Sequence, residues 1–353
     1  MSKVPISVCM IAKDEERYIE ECLKRLIGYG FEIIVTDTGS SDRTKEIASK
    51  YADKVLDFEW IDDFSAARNF CADHASNNWI MSIDCDEYVT KVAVPQIRIL
   101  MQKFPKCTGS VNITSVLYND KGEKVYDEVG VPRFYNRRIF RYENAIHEQL
   151  NPISSSASSK LFLMPMEIIH QGYAISPEEM KVKQMRNLEL LHKCVEKEPD
   201  NAYIWFQIGQ SEYIIGNKEG SIQYYEKALS LNPDINLQYV HLLIYDLAIS
   251  YKETGRVKQA VEFMEKYEEY CKDAKFVYMH GMVYIENNDI LKALMCFLKV
   301  ISLPDSVMMG EALLDCYENI VLIYNHMGET EMANMFVEKR DALRMEKKRV
   351  VSA

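Results

Sequence analysis

The sequence predicts an α/β domain on a mostly parallel sheet, followed by an all-α domain of stacked helix pairs. Three observations carry this expectation. Residues 5 to about 95 alternate short apolar runs with stretches of helical period. From Pro177 onward the period is helical throughout, and a pattern of small and large residues recurs. The chain has 353 residues and 48% hydrophobic content, enough for about two well-packed domains.

Ile6 to Ile11 is a compact apolar strand. Glu15 to Ile27 places Tyr18, Ile19, Cys22, Leu23 and Leu26 at helical spacing. Glu32 to Asp37 reads as a second strand, and Gly39-Ser-Ser-Asp42 then opens a helix over Arg43 to Tyr51, with Asp42 or Ser41 as N-cap. Val55 to Phe58 is a third strand and Ile80 to Asp84 a fourth. Ligands of parallel sheets bind outside the carboxyl ends of the strands, where Asp14, Asp37 and Asp84 occur. Residues 96 to about 173 change character. Ser110 to Tyr118, Arg138 to Arg141 and Met166 to His170 look extended, with a polar loop over Ser154 to Ser159. This stretch is expected to be the acceptor half of the first domain.

The second half repeats. Its clearest unit runs from Ala202 through Trp205, Gly209, Gly216, Tyr225 and Ala228 to Pro233, and resembles a tetratricopeptide repeat. Degenerate units follow at Ile244 to Met264, Val277 to Phe297 and Tyr317 to Ala333. Each unit leaves an apolar face that only a neighbour can bury, so the set should stack as a solenoid. Its small residues should let paired helices approach closely. Its many tyrosines are expected mostly in helix packing.

A net charge of −11 argues against general nucleic-acid binding, which needs a basic footprint. No secretory signal and no run of about 20 apolar residues is apparent, so a cytoplasmic protein without a membrane span is expected. None of the nine cysteines forms a Cys-x-x-Cys pair, which fits reduced thiols better than zinc.

The stretch with most chemistry is Trp79-Ile-Met-Ser-Ile-Asp-Cys-Asp-Glu87. In a strand, residues i and i+2 share a face, so Asp84 and Asp86 should project together where a buried strand meets solvent. Paired carboxylates repel unless a cation or polar ligand lies between them. Mg²⁺ or Mn²⁺ suits such an all-oxygen site, with phosphates completing the coordination. The plain alternative is a strand followed by an acidic turn.

Four blocks together resemble the family-2 glycosyltransferases of the GT-A fold. They are Ser7-Val-Cys-Met-Ile-Ala-Lys-Asp-Glu15, Ile34-Val-Thr-Asp-Thr-Gly-Ser-Ser-Asp42, Trp60-Ile-Asp-Asp-Phe-Ser-Ala-Ala-Arg-Asn69 and the segment Trp79 to Glu87. The arrangement is most similar to bacterial members that append tetratricopeptide repeats, some of which glycosylate peptides or proteins. The resemblance implies that Asp37 accepts a hydrogen bond from uracil N3–H, and that Arg68 contacts the base or holds Asp37. It places Ala12, Asp14, Glu15, Asp84 and Cys85 along the nucleotide sugar. Asp86 would ligate Mn²⁺ or Mg²⁺ directly, Asp84 would meet the ribose or a metal-bound water, and His170 would complete the metal shell. Asn144-Ala-Ile-His147-Glu148-Gln149 offers the general base for inversion, Glu148 first and His147 second. The Glu-Asp-x-x-Arg-Trp block of some members is missing.

The domains implied are a GT-A catalytic domain over 1–173, a tetratricopeptide-like domain over 174–345 and a basic tail over 346–353. The expected activity is inverting, metal-dependent transfer of a hexose or N-acetylhexosamine from a UDP-sugar to a Ser/Thr hydroxyl or Cys thiol of a peptide or protein. The repeats would recruit the acceptor or pair two copies as a homodimer. A saccharide or lipid-linked acceptor is the alternative within enzymes. A non-catalytic repeat scaffold with a degenerate transferase domain is the alternative outside them.

Overall fold

The computed structural model describes residues 3–118, 124–171 and 177–351. The chain divides into two compact units, Met1–Lys183 and Gln184–Ala353. The boundary expected at 173/174 lies outside the described residues, and the units divide further on, within a long helix.

The first unit is built on an eight-stranded mixed sheet of order β3-β2-β1-β4-β7-β6-β10-β5. Its strands are β1 (Ile6–Ala12), β2 (Glu32–Asp37), β3 (Lys54–Asp57), β4 (Trp79–Ser82), β5 (Glu87–Val92), β6 (Thr108–Tyr118), β7 (Lys124–Asn136) and β10 (Leu161–His170). A small antiparallel pair, β8 (Phe140–Glu143) and β9 (Gln149–Pro152), stands apart from it. β1 pairs in parallel with both β2 and β4, and β2 in parallel with β3. The other pairings are antiparallel, apart from the parallel β10–β6 pair.

β1 is apolar almost end to end because both its faces are covered. Val8, Met10, Ile33 and Val35 face a core closed by α1 (Ile19–Leu26), α2 (Thr44–Ala48) and α4 (Val94–Lys103). Cys9 and Ile34 face the opposite core, with Cys71 of α3 (Phe64–Asp73) and Tyr135, Phe140 and Tyr142. The helix α3, absent from the sequence reading, starts where Asp63 accepts a hydrogen bond from the Ala66 backbone at 2.9 Å. α2 is shorter than the helix expected over Arg43 to Tyr51 and has Arg43 at its N-cap, while Asp42 Oδ1 accepts from the Thr44 backbone at 2.9 Å.

The chain builds β1, β2 and β3 to one side and then places β4 on the other side of β1. Strand order therefore reverses between β1 and β4, and the crevice at such a reversal is where open sheets bind ligands. The turn 83–86 leaves β4 at that point.

The second unit is helical. After α5 (Pro177–Lys197), within which the units divide, come α6 (Ala202–Ile214), α7 (Lys218–Ser230), α8 (Gln238–Glu253), α9 (Val257–Tyr267), α10 (Ala274–Glu286), α11 (Ile290–Val300), α12 (Glu311–His326) and α13 (Thr330–Val351). They pair in the order in which the repeats were read. A Cβ on Gly209 of α6 would lie 2.4 Å from the Tyr225 ring of α7, and one on Gly281 of α10 2.7 Å from the Phe297 ring of α11. Small residues thus set the close approach of paired helices. The residues from 346, expected as a tail, continue α13 as far as Val351. Among the described residues, no helix is long and apolar enough to cross a membrane.

Candidate active site

The structure corrects the premise that Asp84 and Asp86 share one face of a strand. β4 ends at Ser82, and both aspartates lie in the turn before β5. The turn gives each carboxylate its own partners.

Asp84 is held by two arginines. Arg68 Nη2 donates to its Oδ1 and Arg133 Nη2 to its Oδ2, each at 2.8 Å. Burial opposes the charge, but the two guanidinium groups overcome it and hold the Asp84 carboxyl well below the usual range. Both oxygens therefore already have cationic partners, which hold the carboxylate in place, and each keeps a second lone pair for a ribose hydroxyl or a metal-bound water. Arg133 also donates to Glu87 Oε1 at 2.9 Å, and Glu87 Oε2 accepts from the Asp84 backbone at 2.9 Å. Glu87 is pushed up, first by burial and then by neighbouring Asp84, against the pull of Arg133.

Arg68, buried on α3, does not hold Asp37 as expected. Its Nη1 donates to Ser82 Oγ at 2.9 Å and its Nε to Glu148 Oε1 at 2.5 Å, and its guanidinium lies over the Tyr142 ring. It therefore links the turn after β4 to the loop between β8 and β9. That loop is strained, with φ of +75° at Asn144 and +53° at His147. His147 is held below its ordinary value by burial, against the influence of Glu148, and its Nε2 is buried without a hydrogen-bond partner.

Asp86 turns the other way. Its Oδ2 lies 3.1 Å from His170 Nε2, at the end of β10. Burial alone would lower the His170 pKa, but the hydrogen bond and charge of Asp86 raise it above the ordinary value. The structure therefore brings together the two residues expected to ligate a metal. Among the described residues, no third His, Cys, Asp or Glu joins them. An oxygen and an imidazole nitrogen suit Mn²⁺, and two protein ligands leave positions that phosphate oxygens fill in sites of this kind.

On the other side of β1, Asp37 is 5% exposed at the end of β2. Its Oδ2 accepts from the backbones of Gly39 and Ser40, each at 3.1 Å, while Oδ1 is buried with no partner. The backbone carbonyl of Ala12 accepts from Thr38. Asp14, at φ +54°, accepts from the Ser41 backbone at 2.7 Å, and Glu15 donates its backbone N–H to Thr44 Oγ1 at 2.7 Å. These contacts fasten the loop after β1 to the loop after β2. Hydrogen bonding from Ser41 lowers the Asp14 pKa. Cys85 differs from its expected place along the nucleotide: its thiol is packed in the core and donates to the Ile11 carbonyl at 3.5 Å.

Sequence reasoning missed Arg133 and Glu87 as partners of Asp84. The available signal for Arg133 was a charge set between apolar Val131 and Phe134 in a strand, since an arginine is rarely buried unless paired. Glu87 stood beside the aspartates as a third carboxylate.

A sheet whose order reverses at β1/β4, with carboxylates in the following turn, defines an α/β domain with its ligand crevice beside those carboxylates. Residues 7–159 match the glycosyl transferase family 2 model, and residues 202–235 and 274–306 match tetratricopeptide repeat models. The chain thus carries a family-2 glycosyltransferase domain of GT-A-like fold followed by tetratricopeptide repeats. It is similar to a TPR repeat-containing protein of Synechococcus elongatus, 26% identical over 73% of this chain and 64% of the relative. It is also similar to the SPbeta prophage-derived glycosyltransferase SunS of Bacillus subtilis, 28% identical over 65% of this chain and 54% of that protein. The lipopolysaccharide core biosynthesis glycosyltransferase LpsC of Rhizobium meliloti is 28% identical over 25% of this chain and 34% of its own length. The chain therefore spans under two thirds of the length of these relatives.

Proposed function

We propose that this protein is an inverting, metal-dependent glycosyltransferase that moves a hexose or N-acetylhexosamine from a UDP-sugar to a hydroxyl or thiol of a peptide or protein. The observation that carries this reading is the meeting of Asp86 and His170 at the turn beside the β1/β4 reversal. These two residues would hold Mn²⁺ or Mg²⁺, which supplies charge neutralisation for the departing diphosphate. The unpartnered Oδ1 of Asp37 suits a uracil N3–H, and the fastened loops at Ala12, Asp14 and Glu15 would line the nucleoside.

Asp84 takes a positioning role in this reading. With Arg68 and Arg133 it fixes the turn that presents Asp86. Arg68 extends the same network to Glu148, so one side chain ties the donor side to the candidate base. Glu148 and His147 are the proposed proton acceptors: Glu148 is oriented by Arg68, and His147 offers a neutral, unpartnered Nε2. Stacked repeats form an extended surface suited to a polypeptide, and recruiting the acceptor or a second copy is their proposed task. The protein would act in the cytoplasm. The similarity to LpsC supports a second reading, in which the acceptor is a saccharide.

Calorimetry with UDP tests the reading directly. UDP should bind more tightly with Mn²⁺ than without it, and more tightly than CDP. Asp86→Ala should abolish the metal effect and slow transfer by about 10²–10³, the range for loss of an electrostatic stabiliser. A folded Asp86→Ala protein with normal metal-dependent UDP binding would sink the proposal.

A further inference from the structure

A cavity of about 360 Å³ lies in the repeat unit, lined from α10 and α11 and by Glu268 and Cys271 of the segment after α9. That is near the lower end of the ~300–1,000 Å³ typical of ligand pockets, so it suits one ring-sized group. Phe276, Val277, Tyr284 and Met295 supply apolar wall. Most of the polar lining is already engaged or uncharged. The Tyr284 hydroxyl and Lys292 Nζ both donate to Glu265 Oε1 at 2.8 Å. Burial pushes the Cys271 and Cys296 thiols up to about 11, so both stay protonated at neutral pH.

Glu268 and Lys299 are the other charged members of the wall, and His280 is its neutral side chain with a buried, unpartnered nitrogen. It is 4% exposed, and its Nε2 is buried with no hydrogen-bond partner. The Tyr284 ring stacks on the imidazole at 4.3 Å, which fixes its plane. Burial lowers the His280 pKa to about 4, so the ring is neutral at physiological pH. A neutral imidazole nitrogen in an apolar cavity is matched by a hydroxyl; a carboxylate would want a cation.

The surface beside the cavity names the kind of molecule that brings the hydroxyl. Met295, which lines the cavity, and Leu291, one turn away on α11, are 71% and 65% exposed. An apolar strip running from a cavity gives the chain neighbours of an inserted side chain a place to rest.

We infer that this cavity is a docking site for the tyrosine side chain of a peptide segment, with the phenol hydroxyl on His280 Nε2 and the flanking residues on the Leu291–Met295 strip. The site lies in the repeats and needs no turnover, so it is tested by binding alone and its failure leaves the transferase reading untouched.

The test titrates the full chain with N-acetyltyrosinamide, N-acetylphenylalaninamide and p-cresol, followed by ligand-observed NMR. The tyrosine amide should bind about three- to tenfold more tightly than the phenylalanine amide, the scale of one net hydrogen bond. His280→Leu should erase that preference. Met295→Trp, at an exposed position, should block both amides without disturbing the fold. Equal binding of the two amides, no binding at millimolar concentration, or indifference to Met295→Trp would overturn the inference. Binding of p-cresol without the tyrosine amide would overturn it too, assigning the cavity to a free phenol. If His280→Leu does not fold, the amide comparison and Met295→Trp still decide.

Discussion

The two units of this chain bury polar groups in different ways. The α/β unit buries Asp37, Arg68 and Glu87, with Asp84 and Arg133 joined to the last two. Among the described residues of the repeat unit, the buried polar side chains are Gln207, four serines and His280, with no carboxylate or guanidinium. Two of those serines satisfy themselves locally, Ser221 on the Lys218 carbonyl and Ser250 on the Asp246 carbonyl. Helix packing evidently needs no buried charge. Taking an ion out of water costs several kcal/mol even after relaxation, so a cluster of them marks where the fold serves something besides its own stability. The contrast makes the cluster around Asp84 the place to look for function, and His280 the outlier of the repeats.

The largest expected effect comes from breaking the charge cluster. Arg133→Met keeps the apolar stem but leaves Glu87 without its guanidinium and Asp84 with one in place of two. Removing one partner of a buried ion pair costs about 3–5 kcal/mol, which urea unfolding should show. Adding Glu87→Gln should recover part of the loss. Arg340→Met is the matched change in the repeats, where Arg340 pairs with half-exposed Glu318 at 2.5 Å and the expected cost is at most about 1 kcal/mol. Equal losses from the two variants would erase the contrast between the units.

Much of this architecture was legible in the sequence. Strands β1 and β2 declared themselves as apolar runs, and all four helix pairs followed from recurring small and large residues. Gly209 and Gly281 sit where paired helices come close, as their small size implied, and the rings of Tyr225 and Phe297 that face them come from the structure. What escaped was set by tertiary contact. α3 has a weakly patterned sequence because its buried face includes Ser65 and Arg68, which periodicity scores as polar. β7 was not read, and its Arg133 meets Asp84 across a separation of 49 residues. The division of labour between Asp84 and Asp86 was hidden for the same reason. A two-residue spacing says the carboxylates are near, but only the arginines and His170 say which way each one turns.

A middle-sized effect should appear with pH. His280 has a folded pKa of about 4 against an ordinary 6.5. Between those values the unfolded chain binds a proton that the folded chain does not. Stability is therefore complete above about pH 6.5, falls as pH drops toward 4, and loses up to about 3 kcal/mol. Glu265 raises the value while Lys292 and Lys299 lower it, so burial sets the sign. His147 is shifted the same way in the α/β unit and should add to the slope. Urea unfolding from pH 7 to pH 4 should give a steeper loss for the parent than for His280→Leu. Parallel curves would mean that His280 is solvated or partnered in solution, and it would cease to stand apart from the serines.

The smallest effect sets two opposing terms against each other in the repeats. Gly209→Ala should gain up to about 1 kcal/mol from helix propensity, because glycine is the poorer helix former. Its new Cβ would lie 2.4 Å from the Tyr225 ring, too close for any real contact. That ring is 1% exposed and packs against Phe206 with centroids 6.1 Å apart, so it has no open side to move into. Overpacking a tight core costs about 1–3 kcal/mol, so the steric term should prevail and leave a net loss of about 1 kcal/mol. In a Tyr225→Leu background the clash disappears and the same Gly209→Ala change should become stabilising, a sign reversal that a double-mutant cycle measures. UDP binding should be the same in all these proteins, because the substitutions lie in the repeat unit, where no charged side chain is buried among the described residues. A stabilising Gly209→Ala in the parent chain would show that the paired helices have room to separate, and close packing would no longer explain why glycine stands there.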